Sequence, residues 1–379
     1  MLMVHFLVPC FIHFNGWSWI YSDAFNFDVI FWTSLTIIIS FIPFRFLRFQ
    51  RLEIMFMRVR DPYLSMYGLI LFGYIIIYFI AGGLSYRYFE AQGVNRSVIL
   101  NFVLSLSPAM LVLSIYLILS KKIFSKLSAL IFVAVLVVSG GRGFLIQFII
   151  VLFLFLRLLK NQSKNEFRLL RIRDFGLFSI ILFFFGYFGL IRDGGSDILF
   201  SSFLRFSEPY WYLAWENSSP GFNNEMFHDI LERLIWSISR LNLFNTPGNI
   251  DGNTFYLPEY LNITLPPGVS LPITLTGQGY LLFGTLGVCI LLLLGISISV
   301  FGLKLIRSWG ILNTQMVNIY ILYYISKMFN FHAKSISGLM SYLLYETIRD
   351  LVILTLLQLS LHLLFKRYVF SRLISKREI

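Results

Sequence analysis

The sequence predicts an all-α polytopic membrane protein with about ten transmembrane helices. Three observations lead there. Of the 379 residues, 57% are hydrophobic and only 13% are charged, whereas about a quarter of a soluble domain is charged. Apolar runs long enough to cross a hydrocarbon core of about 30 Å recur along the chain. The basic residues, 31 against 19 acidic ones, are placed in short segments between those runs. That placement sets membrane orientation and removes the nucleic-acid reading that a net charge of +12 would otherwise invite.

In chain order the apolar runs fall near residues 1–20, 28–44, 63–84, 99–119, 127–141, 143–156, 175–191, 277–301, 311–330 and 347–365. The first has no basic leader and no small-residue cleavage site before Asp23, so it is expected to be a span and not a removed signal peptide. The fifth and sixth are short and meet at Ser139-Gly140-Gly141-Arg142-Gly143, where the glycines permit a tight turn between two helices. Cys10 and Cys289 both lie inside apolar runs, so neither a disulfide framework nor a zinc spacing is expected.

Orientation follows from the charges. The segments 45–60, 121–126, 157–173, 304–307 and 366–377 hold 21 of the 31 basic residues. The opposite side holds 8, namely Arg87, Arg96, Arg142, Arg192, Arg205, Arg233, Arg240 and Lys334. The basic side is expected to be cytoplasmic, which makes the number of spans even and puts both termini in the cytoplasm. The whole chain, 1–379, is then one polytopic membrane domain.

One connection stands apart. Residues 192–276 form a loop on the non-cytoplasmic side far longer than an ordinary connection. Inside it Phe227, Leu231, Leu234, Ile238 and Leu241 recur at helical spacing between Asn223 and Phe244, with Asn223 or Asn224 as cap. An amphipathic helix lying on the membrane mouth is expected there.

The residues that can carry chemistry are the arginines outside the cytoplasmic loops, because topology does not explain them. Arg142 sits in the glycine turn close to membrane depth, where a guanidinium is costly unless paired; its bland reading is snorkelling to lipid headgroups or bonding to loop carbonyls. Arg192 ends the seventh span beside Asp193, a ready local partner. Arg205 lies among Phe203, Phe206, Tyr210 and Trp211, with Glu208 three positions on to neutralise it. Those aromatics suit a sugar ring or a lipid, and equally a membrane-interface belt. Arg240 has no acidic residue three or four positions away, unlike Arg233, which follows Asp229 at helical spacing. Several guanidiniums converging on one cavity suit a phosphate or diphosphate, each able to bond it bidentately, and can stabilise a diphosphate leaving group without a metal.

His332, at a span end beside Lys334, is the candidate general base, with His228 behind it and Asp197, Asp251 and Glu259 as alternatives; the bland reading of either histidine is an interfacial hydrogen-bonding residue. Glu346, Arg349 and Asp350 lie near the start of the last span. A structural ion pair is the simpler account of them, although charge inside a span can mark a substrate path. The run Gly277-Gln278-Gly279-Tyr280-Leu281-Leu282-Phe283-Gly284 follows no strand and enters an apolar span, so its small residues are read as allowing close helix packing and not as a nucleotide loop. No metal-ligand spacing is present on the outer side, and neither metal nor cofactor is expected.

The layout resembles that of the bacterial O-antigen polymerases, the Wzy-type polymerases of oligosaccharide repeat units. The likeness covers many spans, one large periplasmic loop in the second half, the Ser139-Gly140-Gly141-Arg142-Gly143 turn, and Leu265-Pro266-Pro267-Gly268 followed by Gly277 to Gly287. Gln278 and Leu282 depart from the Glu and Asn common in that family, so no chemistry is assigned to that stretch. The resemblance implies a GT-C-like helical fold in the bacterial inner membrane with a cavity open to the periplasm. It implies a glycosyltransferase moving a growing glycan from undecaprenyl diphosphate to the terminal sugar of a lipid-linked repeat unit, in lipopolysaccharide O-antigen biosynthesis. Arg142, Arg192, Arg205 and Arg240 would then hold the diphosphate. The implied partners are undecaprenyl-diphosphate-linked oligosaccharides, the lipid bilayer and a chain-length regulator protein. An O-antigen ligase is the sister alternative, which His228 leaves open; a lipid-linked oligosaccharide flippase is the alternative of another class.

Overall fold

The computed structural model describes residues 27–39, 63–84, 98–118, 120, 122–138, 147–154, 274–328 and 336–375. These residues form helices α1 (Phe27–Ile39), α2 (Leu64–Ile80), α3 (Val98–Ile118), α4 (Ile123–Val138), α5 (Leu275–Ser308), α6 (Thr314–Met328), the short α7 (Ile336–Leu339), a π-helical segment (Met340–Tyr345) and α8 (Glu346–Ser375). Residues 147–154 are helical as well. No strand element occurs among the described residues, and the described helices overlap expected apolar runs, except that α7 and the π-helical segment lie between the runs 311–330 and 347–365. Three helical stretches, Val98–Ile118, Leu275–Ser308 and Met340–Leu364, are long and apolar enough to cross a membrane. Helices α2 and α4 are apolar but shorter. The protein is thus an all-helical membrane protein over its described part.

The surfaces agree. On α2, Leu69, Phe72, Ile76, Phe79 and Ile80 are exposed, and their spacing puts them along one side of the helix. On α5 the exposed residues are Leu286, Ile290, Leu293, Leu294 and Phe301. Contiguous apolar surface of that kind is unfavourable in water and ordinary against lipid tails.

The chain divides into two compact units. The first holds α1, α5 as far as Gly302, and Lys327–Tyr345. Its main feature is a break in α5. Thr274 opens the helix by accepting the Gly277 N–H on its Oγ1 at 3.0 Å, an N-cap bond. Nine residues after Thr274, Phe283 (φ −146°, ψ 27°) and Gly284 (φ 62°, ψ −141°) leave helical geometry. The positive φ of Gly284 is cheap for glycine alone. The break lets the backbone of Gly279 touch that of Gly287: a Cβ built on Gly279 would lie 2.5 Å from the Cα of Val288, and one on Gly287 would strike the Gly279 carbonyl oxygen. Tyr280 and Val288, on either side of the break, are buried together with Trp32 of α1 packed on them. The close packing expected of the small residues is therefore real, but it operates within one broken helix.

The second unit holds α2, α3, α4, α8 and the stretch Leu303–Ser326. Helices α2, α3 and α4 pack on one another, and α8 packs on α3. Gly68 of α2 brings that helix against α4, since a Cβ there would lie 3.2 Å from the Phe124 ring and 3.3 Å from the Cα of Ser125. At the same contact the Ser125 hydroxyl donates to the Leu64 carbonyl at 2.9 Å. Small residues with an interhelical hydrogen bond are the expected adhesive where lipid supplies no hydrophobic drive. Further along α2, the Tyr74 hydroxyl donates to the Val103 carbonyl at 3.0 Å and lies 2.7 Å from Ser107 Oγ. This is the turn that Pro108 opens in α3, so a neighbouring helix serves backbone that the proline disturbs.

One end of the second unit is laced by polar contacts. Tyr63 Oη meets His362 Nδ1 at 3.1 Å, Lys122 Nζ donates to Ser65 Oγ at 3.1 Å, Trp309 Nε1 donates to Thr355 Oγ1 at 2.8 Å, and the Asn313 N–H donates to Gln358 Oε1 at 3.0 Å. Asn313 Nδ2 also reaches Tyr116 Oη at 3.3 Å. The ends of α2, α3, α4, α6 and α8 that the charge pattern assigns to one side are gathered there.

The break in α5 yields a test. Gly287→Ala forces a methyl into the Gly279 carbonyl and is expected to cost about 1–3 kcal/mol, as overpacking does. Gly310→Ala enters open space and leaves stability unchanged. Thermal midpoints of the two purified variants in detergent check this; equal midpoints contradict the close approach.

Candidate functional site

Charge inside a candidate span is the rarest feature of this chain and the one that needs a physical account. Placing an arginine or aspartate at a span centre costs roughly 2.5–3.5 kcal/mol each on insertion scales, so such groups are paired and commonly functional. The stretch Met340–Leu364 carries three of them, Glu346, Arg349 and Asp350.

The centre of the arrangement, within the second unit, is Asp350. Its side chain is 0% exposed, and both carboxylate oxygens are used. Tyr320 of α6, itself buried, donates its hydroxyl to Oδ2 at 3.0 Å. Arg349 donates to Oδ1 twice, from Nη2 at 3.0 Å and from Nε at 3.2 Å. The ion pair joins sequence neighbours, whose side chains start on different faces of α8; the long arginine stem curls back to reach. Arg349 stays 20% exposed while Asp350 is sealed. The charge that the site presents to its surroundings there is the guanidinium, and the carboxylate is its anchor.

The anchor is built from two helices. Tyr320 and Tyr323 are in edge contact, centroids 5.7 Å apart, which limits the Tyr320 ring and aims its hydroxyl at α8. A buried tyrosine normally finds a partner for that hydroxyl. Here the partner is an ionised group, and such a bond is stronger than a neutral one.

In the first unit a second buried cation is held differently. Lys327 is 1% exposed. Its Nζ donates to the Tyr342 carbonyl at 3.1 Å and lies 4.6 Å from the centroid of the Tyr342 ring. Tyr342 belongs to the π-helical segment Met340–Tyr345, where the wider turn loosens the ordinary carbonyl bonding. The ammonium supplies a donor and gains a cation–π contact in return. π-Helical turns are uncommon and concentrate at functional sites. Beside it, the buried Gln278 accepts the Ile336 N–H on Oε1 at 2.8 Å, which ties the start of α7 to α5. Thr276 Oγ1 donates to Thr36 Oγ1 at 3.1 Å, tying α5 to α1. Gln278 therefore has a structural role in place of the carboxylate chemistry that a glutamate would bring.

The residues that the sequence nominates for substrate and catalysis, Arg142, Arg192, Arg205, Arg240 and His332, lie outside the described residues, as do residues 192–273 of the long loop and the turn Ser139–Gly143. Of the sequence candidates, the structure describes Glu346, Arg349 and Asp350, and it brings the last two together. Tyr320 was not legible as a site residue, since a tyrosine in an apolar run reads as packing. Lys327 carried a signal, being a lysine in a candidate span, but nothing in the sequence names Tyr342 as its partner. No family model, no curated protein and no solved structure matches this chain.

The ion pair makes an asymmetric prediction. Asp350→Ala strands the Arg349 charge and is expected to cost about 3–5 kcal/mol, the penalty for breaking a buried pair from one side. Tyr320→Phe removes one hydrogen bond and costs about 1–2 kcal/mol. Thermal unfolding of both variants in detergent measures the difference; an Asp350→Ala midpoint at or above that of Tyr320→Phe contradicts the assignment of Asp350 as the anchor.

Proposed function

We propose that the protein is a membrane glycosyltransferase that polymerises lipid-linked oligosaccharide repeat units at the outer face of a bacterial inner membrane. The reading rests first on one observation from the sequence. Basic residues that orientation does not explain gather at the outer mouth, in the glycine turn and in the loop 192–276, where a diphosphate leaving group needs cations. The chemistry asked of the protein is modest. The acceptor sugar hydroxyl attacks the anomeric carbon of the donor chain, the bond from that carbon to the diphosphate oxygen breaks, and undecaprenyl diphosphate departs. The arginines Arg142, Arg192, Arg205 and Arg240 neutralise the departing charge by bidentate contacts. His332, or another outward base, takes the acceptor proton.

The described residues lend support in three ways. The polar contacts of Tyr63, Lys122, Asn313 and His362 collect helix ends as the expected threading requires. With both termini cytoplasmic in that threading, Lys327 and Arg349 fall toward the outer ends of their spans, the side on which the reaction is placed. The charge-poor character of the remaining described spans favours an enzyme over a flippase, whose translocation path would need polar groups through several spans.

The test is genetic. In a strain deleted for this gene, lipopolysaccharide is expected to stop at a single repeat unit, and the wild-type gene restores the ladder on a gel. Arg142→Ala and Arg240→Ala are expected to abolish the ladder at normal expression. Bare core with accumulated lipid-linked polymer would assign a ligase instead, and lipid-linked units held on the cytoplasmic face would assign a flippase.

A further inference from the structure

We propose that Arg349 is a binding residue for a phosphoryl oxyanion, presented inside the last span by Asp350 and Tyr320. Arg349 spends the Nε–Nη2 edge of its guanidinium on one carboxylate oxygen, Asp350 Oδ1. That edge-on pairing directs the other edge, with both Nη1 protons and the second Nη2 proton, away from Asp350. Among the described residues Nη1 makes no hydrogen bond, while the Glu346 carboxylate acts on the guanidinium by charge alone. The remaining edge has the fork geometry that receives two oxygens of one phosphoryl group.

The surroundings make this more than a salt bridge. Asp350 is sealed and its other oxygen is taken by Tyr320, so the carboxylate cannot turn to follow a ligand and the guanidinium is held in one orientation. Arg349 alone of the three groups keeps contact with the exterior, at 20% exposure. Replacing a buried ion pair by apolar side chains of the same volume is often neutral or stabilising, so stability alone is a weak reason for one. An arginine locked by one edge and open at the other is arranged for an anion that arrives. Glu346, one turn earlier, is a carboxylate in the same stretch and disfavours a free, mobile anion; an oxyanion carried on a lipid, whose apolar tail supplies its own binding energy, tolerates that better. The choice of a polyprenyl diphosphate as this lipid rests on the function proposed above, whereas the oxyanion site does not.

Native mass spectrometry of the full-length protein tests it, with undecaprenyl diphosphate and phosphatidylglycerol offered together at equal concentration. The wild type is expected to retain undecaprenyl diphosphate. The double variant Arg349→Gln/Asp350→Asn leaves no stranded charge and is expected to lose tenfold or more of that retention. Arg349→Lys is expected to lose severalfold, because an ammonium engaged by Asp350 has no opposite fork. Arg349→Lys keeps the ion pair and decides the matter if the double variant fails to fold. Retention equal to wild type in a folded double variant, or in Arg349→Lys where the double variant fails, overturns the site. Arg349-dependent retention of phosphatidylglycerol in place of the diphosphate supports the site and counts against the polymerase. Arg349-dependent diphosphate binding in a protein that leaves the lipopolysaccharide ladder unchanged on deletion likewise keeps the site and removes the function.

Discussion

A bilayer interior offers no water to a polar group, and the rest of this structure follows from that constraint. Backbone groups satisfy it by staying helical. Where the helix is interrupted, a specific neighbour steps in: Tyr74 at the turn opened by Pro108, Gln278 at the start of α7, and Lys327 on the π-helical carbonyl of Tyr342. Side-chain charge meets the same constraint by pairing, and Asp350 shows it most completely, with each oxygen assigned to a named donor. Other polar side chains bond the carbonyl one turn back in their own helix, as Ser114 and Ser299 do.

Those irregularities are concentrated in one part of the chain. A regular helix buries its own backbone and offers little for recognition beyond side chains. A broken helix with a glycine in the left-handed region and a π-helical segment both alter which groups face inward, and both occur in the part of the chain that follows Thr274. The same part carries Lys327 and Arg349. Structure and charge therefore mark the region from Leu275 onward as the chemically specialised one, whereas the α2–α3–α4 packing is held by small residues and apolar contacts.

Much of the fold was legible because hydrophobic length is a strong signal. The runs near 63–84, 99–119, 277–301 and 311–330 each coincide with a described helix. Boundaries were less legible: the run placed at 127–141 is helical from Ile123, since a lysine at a helix end is apolar along its stem and continues the helix into the interface. The break at Phe283-Gly284 was not foreseen, because glycine in an apolar run serves close packing and backbone breaks alike, and only the approach of Gly279 to Gly287 distinguishes them. The π-helical segment inserts a single residue into a helix and leaves no trace in periodicity. At the site, Arg349 and Asp350 announced themselves as charges in a span. Their pairing as neighbours and their hold on Tyr320, 30 residues earlier, are tertiary facts that spacing along one helix does not contain.

Reconstitution decides whether the chain transfers glycan from a polyprenyl diphosphate, as proposed. The purified protein in proteoliposomes is given undecaprenyl-diphosphate-linked repeat units, and both the glycan length and the released undecaprenyl diphosphate are measured. A ladder of lipid-linked oligomers is expected, with one undecaprenyl diphosphate released for each new glycosidic bond. Repeat units that stay monomeric but change leaflet would contradict it and make the protein a transporter.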